Sequence, residues 1–288
     1  MQMKCQNGLR SQGELKMKIF IDSADLDEIR QGYKWGVIDG ITTNPSLMKK
    51  AVEKRVNAGE KLDLKDYIVR ILEIAGDTPV SLEVTEFTAE KMIEQGKRLH
   101  KLFNPVAGNV YIKIPVNPAF KEADETHFDG IQAIRELTAA GIPTNTTLIF
   151  TPEQALLAAK AGANFVSPFA GRIDDDLRKR GGLVFDKTDH YPADGMEVNE
   201  ALLEDNGIVS GVELVEQCVL IIEHYGLDTE VLSASLRNPQ QVRESALVGA
   251  HIATLPFGVI KDMLKHPQTY NGMEMFTADI VPEYAALG

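Results

Sequence analysis

The sequence predicts an α/β protein: a single (β/α)8 barrel with a long insertion after the sixth strand. Three observations predict it. Eight short runs rich in apolar and β-branched residues alternate with longer runs of helical period, and such alternation means parallel strands joined by crossover helices. A chain of 288 residues suits one such barrel. No Gly-x-Gly-x-x-Gly follows a strand, so an open dinucleotide-binding sheet has no support.

The strands are expected over residues 18–23, 40–45, 80–85, 109–116, 143–150, 164–170, 230–235 and 251–257. Ile19 and Ile21 mark the first, Ile41 the second, and Val80, Leu82 and Val84 the third. Val110, Ile112, Ile114 and Val116 mark the fourth, Leu148 and Ile149 the fifth, and Phe165 and Val166 the sixth. Val231 and Leu232 mark the seventh, Ile252 and Leu255 the eighth. Helical patterns cover 63–75, 88–103, 125–140, 152–161 and 211–225, with apolar residues three to four apart. One connection is out of proportion. Residues 171–229 hold Asp174-Asp175-Asp176, Arg178-Lys179-Arg180, Gly181-Gly182 and His190-Tyr191-Pro192 before their helix. A long connection after a barrel strand belongs to the catalytic face or to an interface. Its charged triplets are themselves expected to be solvated.

Composition narrows the partners. A formal net charge of −12 argues against nucleic acid and against an anionic membrane surface. An anionic substrate stays open, because a local pair of arginines can oppose the global field. Cys5 and Cys218 can form neither a disulfide framework nor a metal set, which suits a reducing, cytoplasmic setting. Residues 1–17 lack an apolar signal core and read as a flexible extension ahead of a catalytic domain over 18–288. No run approaches the ~18 apolar residues of a membrane span.

Strand side chains alternate, so parity separates the barrel lumen from the helix-facing side. Lys113 has the opposite parity to Val110, Ile112, Ile114 and Val116. A buried ammonium is expensive unless it is paired or has a task. The same parity sends Phe20 and Asp22 inward from the first strand, Thr42 and Asn44 from the second, and Ser81, Glu83 and Thr85 from the third. Asn145 and Thr147, then Phe165, Ser167 and Phe169, then Ser233 and Ser235 follow in the later strands. A lysine, two carboxylates, two amides and several hydroxyls therefore converge near the strands' carboxyl ends, where this fold builds active sites. Mutual satisfaction of these groups as structure is the competing reading.

The residue types suggest a chemistry. Lys113 can attack a carbonyl and form a Schiff base. Glu83, directly or through a water positioned by Thr147, can move the protons of that step, and Asp22 can take a hydroxyl proton for carbon–carbon cleavage. Asn44, Asn145 and Ser167 can hold substrate hydroxyls. Arg172 and Arg237 follow successive strands and can clamp a phosphate, with Ser235 beside them. No histidine falls at these positions, so neither a metal site nor a Ser-His triad is expected, and no cofactor is called for.

These segments resemble the transaldolases and the related fructose-6-phosphate aldolases. The likeness runs from Lys18 to Tyr284 and is most specific at Phe20-Ile21-Asp22-Ser23-Ala24, at Gly40-Ile41-Thr42-Thr43-Asn44-Pro45-Ser46, and in the Lys113 strand. It continues at Ser167-Pro168-Phe169, Gly171-Arg172-Ile173 and Ser235-Leu236-Arg237-Asn238. The resemblance implies a class I Schiff-base enzyme of the pentose phosphate pathway on this barrel. Lys113 would carry the Schiff base, Asp22 would be the acid/base, and Glu83 and Thr147 would hold the catalytic water. Thr42, Asn44, Ser46, Asn145, Phe150 and Ser167 would contact the sugar, and Arg172, Ser235 and Arg237 the phosphate. Glu83 and Phe150 match the transaldolase branch, whereas the aldolase branch carries Gln and Tyr there. The implied activity is transfer of a dihydroxyacetone unit from a ketose phosphate to an aldose phosphate. The alternatives are an aldolase releasing free dihydroxyacetone and a non-catalytic sugar-phosphate-binding barrel. Residues 181–206 are longer than in the small members. The tail over 266–284 resembles their last helix, which packs on a neighbouring subunit, so a homo-oligomer is implied.

Overall fold

Eight parallel strands close on themselves in the order β1 (Lys18–Asp22), β10 (Ile252–Leu255), β9 (Glu230–Ser233), β6 (Phe165–Pro168), β5 (Thr144–Ile149), β4 (Val110–Pro115), β3 (Val80–Glu83) and β2 (Gly40–Thr42). The computed structural model describes residues 17–287. This is a (β/α)8, or TIM, barrel, and all eight predicted strands form within the predicted ranges. Their carboxyl ends stop earlier than predicted because helices begin there. Asn44 caps α2 (Pro45–Asn57), with Pro45 at its first position, where a missing N–H costs nothing. Ala170 opens α7 (Ala170–Arg180), and Phe257 opens α10 (Phe257–Asp262).

Helices fill the connections. They are α1 (Leu26–Lys34), α3 (Leu64–Ala75), α4 (Ala89–Ala107), α5 (Asp129–Ala139), α6 (Pro152–Lys160), α8 (Gly211–His224) and α9 (Pro239–Leu247). The expected starts at Asp63 and Thr88 are the N-cap residues of α3 and α4, and Asp63 accepts from the amides of Lys65 and Asp66. The helix-facing residues Ile21, Ile41, Val80, Leu82, Ile112, Ile114, Ile149 and Val166 pack into one continuous core with the helices. A second, smaller apolar cluster lies inside the barrel: Phe20, Phe165, Leu232, Ala234 and Ile252, with Tyr111 and Phe169 against it. Phe20 meets Phe165 edge-on at 5.9 Å, and Tyr111 stacks on Phe165 at 4.7 Å. Gly40 makes room for this plug, since a Cβ there would stand 2.6 Å from the Phe20 ring.

The long connection is not one loop. It begins with α7, continues through a small antiparallel pair, β7 (Glu197–Val198) and β8 (Ala201–Leu202), and ends in α8. Its charged triplets are only partly solvated, contrary to expectation: Asp174, Asp175 and Arg178 are buried. The reason is helical period, which puts positions 174, 175 and 178 on one face of α7 and sends Lys179 and Arg180 to solvent. Asp174 Oδ1 accepts from the Gly211 amide and its Oδ2 from Gln241 Nε2, each at 2.7 Å. Arg178 Nη2 donates to Asp189 O at 2.9 Å, and its guanidinium lies about 5 Å from the ring centroids of Phe185 and Tyr191. Burial pushes the Asp174 carboxyl up to about 6 against those two hydrogen bonds.

The expected flexible extension lies outside the described residues except for Met17, which packs against the core. At the other end, α11 (Pro267–Ala278) and α12 (Pro282–Ala285) bury none of their residues. Tyr270, Met273, Phe276 and Tyr284 remain exposed there. Among the described residues no helix is long and apolar enough to cross a membrane.

Arg178→Ala should test the anchoring of the insertion. It removes a charge-assisted hydrogen bond of roughly 1.5–3 kcal/mol together with two ring contacts. Urea unfolding should show a loss of that order, and limited proteolysis should cut faster within residues 181–206. An unchanged cleavage rate would show that Arg178 does not hold the segment.

Candidate active site

Strand register sets the site. Glu83, Lys113 and Asn145 are consecutive partners across β3, β4 and β5, and Asp22 pairs with Thr42 across β1 and β2. Each lies just above the aromatic plug, so the lumen has an apolar floor and a polar upper layer. Lys113 is 5% exposed. Its Nζ lies 3.2 Å from Glu83 Oε2 and donates to the Thr43 carbonyl at 3.1 Å.

Asp22 stands on the other side of the same pocket. Its Oδ1 accepts from Thr42 Oγ1 at 2.7 Å, and Thr42 Oγ1 lies 2.5 Å from Thr254 Oγ1. A hydroxyl has one proton, so Thr42 spends its own on Asp22 and Thr254 must donate to Thr42. Burial raises the Asp22 carboxyl above the usual carboxylate range, against the Lys113 charge and the Thr42 hydrogen bond, which lower it. Ser167 Oγ donates to Asn145 Oδ1 at 2.7 Å, and Asn145 Nδ2 donates to Ser81 Oγ at 3.0 Å. That chain fixes the Asn145 amide orientation.

The pocket is lined by Asp22, Thr42, Asn44, Lys113, Ser167 and Arg172, with Phe169, Leu232, Ala234, Ser235 and Thr254. Asn44 does two things: it lines the pocket, and its Oδ1 caps α2 by accepting from the Leu47 amide at 2.9 Å. Glu83, Asn145 and Thr147 stand behind this lining. Thr147 Oγ1 is buried and has no hydrogen-bond partner among the described residues. Leu148, at φ 59°, breaks the strand alternation just after it. Ser46 is exposed in the first turn of α2 and is not brought to the pocket.

A second, more open pocket adjoins the first through Arg172. Phe150, Ile173, Asp175, Asp176, Lys179, Lys187, Asp205 and Arg237 complete its walls. Phe150 packs edge-on to Phe169 at 5.8 Å. The two arginines of the expected clamp differ. Arg172 is exposed, has no ion-pair partner among the described residues, and lies 5.0 Å from the Phe169 ring centroid. Arg237 is mostly shielded and pairs with Asp175.

Two inward expectations are corrected. Ser233 Oγ lies 2.9 Å from Ser245 Oγ of α9, so it faces the helices, while Leu232 and Ala234 take the lumen side. Ser235 still reaches the pocket, because its φ of 64° reverses the chain just past β9. Thr85 lies beyond β3 and accepts from Gln95 Nε2 of α4 at 3.0 Å. Thr254 also lines the pocket and is not among the expected residues, although strand alternation from Ile252 puts it inward. Asp175 lines the second pocket, and in sequence it reads only as one charge of a solvated run.

The site therefore defines a class: a parallel barrel with a buried lysine between two carboxylates at the strands' carboxyl ends. Comparison with known proteins is more specific. Residues 19–285 match the family model for transaldolase/fructose-6-phosphate aldolase, and the chain belongs to that family. A probable transaldolase of Prosthecochloris aestuarii (strain DSM 271 / SK 413) is 44% identical over 263 residues, which is 91% of this chain and 97% of that protein. A probable transaldolase of Aquifex aeolicus (strain VF5) is 39% identical, again over 91% of this chain and 96% of its own length.

The raised Asp22 carboxyl has a sign that can be measured. A group whose folded pKa is raised stabilises the fold below its unfolded pKa, near 3.8, and that contribution is lost as pH rises through the folded value. The ionised carboxylate is thus the destabilising form. Asp22→Asn should melt close to the wild type at and below about pH 4 and progressively higher than it as pH rises above that. A melting difference that is flat with pH would contradict the raised value.

Proposed function

We propose that this chain is a transaldolase acting through a Schiff base on Lys113. The observation that carries the proposal is the buried Lys113 ammonium beside Glu83, in a pocket that also holds Asp22 and opens onto Arg172. A structural ion pair would need Glu83 alone. It gives no reason for a second, desolvated carboxylate held across the pocket by a chain of two threonine hydroxyls.

The geometry supports the following sequence of steps. The Lys113 amine attacks the ketose carbonyl and forms a carbinolamine, which loses water to give an iminium. Glu83 and a water held with the buried Thr147 hydroxyl move the protons. Asp22 then takes the proton of the hydroxyl on the carbon beyond the bond to be broken. The carbon–carbon bond breaks, its electron pair moves toward the iminium nitrogen, and an aldose phosphate leaves. The dihydroxyacetone unit stays on Lys113 as an enamine. An acceptor aldose phosphate reverses these steps and carries the unit away. Asn44, Ser167 and the Ser167-linked Asn145 hold sugar hydroxyls, while Arg172, Ser235 and Arg237 take the phosphate. The donors are fructose 6-phosphate or sedoheptulose 7-phosphate. Release of free dihydroxyacetone needs a proton donor near the enamine carbon, and Phe150, which lines the adjoining pocket and packs on Phe169, offers none. This favours transfer over the aldolase reaction. The exposed apolar side chains on α11 support a homo-oligomer, and membership of the transaldolase/fructose-6-phosphate aldolase family supports sugar phosphates as substrates.

Two experiments bear on this reading. Borohydride reduction in the presence of fructose 6-phosphate should leave a reduced three-carbon adduct on Lys113 by peptide mass mapping, and Lys113→Ala should be inactive while melting as a folded protein. Substantial cleavage by that variant would sink the Schiff-base assignment.

The second experiment concerns partitioning. Wild type should transfer to erythrose 4-phosphate faster than it releases dihydroxyacetone, and Phe150→Tyr should shift the balance toward release. If wild type already releases dihydroxyacetone as fast as it transfers it, the aldolase activity takes the place of transfer.

A further inference from the structure

The anion end of the site is built from two loops and the first turns of α7. Gly171 is the point of closest approach. A Cβ there would lie 2.2 Å from the Ser235 carbonyl and 3.3 Å from Arg237 Nε. Only a glycine lets α7 start directly against the Ser235–Arg237 segment. One turn further along α7, Asp174 and Asp175 come within reach of the same segment.

Both acids act on Arg237. Asp175 Oδ1 accepts from Arg237 Nη1 at 2.5 Å, with side-chain exposures of 10% and 17%. Asp174 acts at the other end of the residue. Its Oδ2 accepts from Gln241 Nε2 at 2.7 Å, and Gln241 Oε1 accepts from the Arg237 amide at 2.8 Å. The remaining Asp174 oxygen is fixed by the Gly211 amide at 2.7 Å. Since Asp174 offers only acceptors when ionised, the Gln241 amide must point its NH2 at Asp174 and its oxygen at Arg237.

We infer that Asp174 and Asp175 are positioning residues for phosphate binding, holding Arg237 by its backbone and by its guanidinium. The inference rests on the sugar-phosphate reading given above. Asp175 engages one of the five guanidinium N–H groups and leaves the others for an anion. A preset arginine loses less side-chain freedom when the anion arrives. Arg172, with no ion-pair partner among the described residues and its guanidinium 5.0 Å from the Phe169 ring centroid, supplies the other half of the clamp.

Two views of Asp175 predict opposite signs. If it were merely a negative charge near an anion site, its removal would tighten binding. If it positions Arg237, its removal weakens binding. The test measures KM for fructose 6-phosphate and the inhibition constant of inorganic phosphate. Asp175→Ala should raise both about tenfold, or ~1.4 kcal/mol, with kcat within about twofold. Asp175→Asn, which keeps an acceptor oxygen, should recover most of the loss. Gln241→Met, which removes no charge, should raise both constants about threefold by freeing the backbone end, and it carries the test if Asp175→Ala does not fold. Unchanged or lower constants in Asp175→Ala, alongside a rise in Arg237→Ala, would overturn the positioning role and leave the phosphate subsite intact. If Arg172→Ala and Arg237→Ala also leave both constants unmoved, the phosphate reading itself falls and this inference with it.

Discussion

An ammonium taken out of water must be matched where it sits, and Lys113 imposes that constraint on the whole barrel. It is carried by β4 into the lumen just above a plug of aromatic side chains, where nothing apolar can stabilise it. Its match comes from Glu83, on the neighbouring strand at the same register level, and from the Thr43 carbonyl. These partners are strands and strand ends, not flexible loops. The amine is therefore fixed by the sheet itself, and the pocket above it inherits that precision.

The second carboxylate shows why this constraint matters for chemistry. Asp22 is desolvated enough to be raised, yet it is held by Thr42, which is backed by Thr254. A fold selected only for stability has no use for a desolvated carboxylate opposite a buried lysine. Environments that push titratable groups away from their ordinary values collect at working sites. The cost is localised: the layer beneath is apolar and closely packed, with Gly40 giving Phe20 its place.

The rim follows a different logic. There the site is assembled from α7, the Ser235–Arg237 segment and the insertion, each tied to the next by buried polar contacts. Asp174 joins α7 to the first residue of α8 and to Gln241 of α9, while Arg178 pins the insertion through Asp189 and two rings. Charges in this region serve as fasteners on one side of α7 and as solvated groups on the other. This rim is thereby positioned on a helix packed to the barrel.

Much of this was determined by the sequence alone. The eight strands, their parallel order and the lumen positions of Asp22, Thr42, Glu83, Lys113, Asn145 and Ser167 follow from period-two alternation, which is local and survives in the chain as written. The Thr-Thr-Asn-Pro-Ser string carried both a strand end and a helix cap. Tertiary structure decided what alternation cannot express. Ser235 enters the pocket only because its backbone turns left-handed after β9, while Ser233 faces the helices. Asp174, Asp175 and Arg178 are buried because α7 is helical and packed, although in sequence they look like a solvated charge run. The pairing of Asp175 with Arg237 spans 62 residues. No local pattern encodes which of two arginines is held and which is free, because that depends on elements brought together only when the barrel closes.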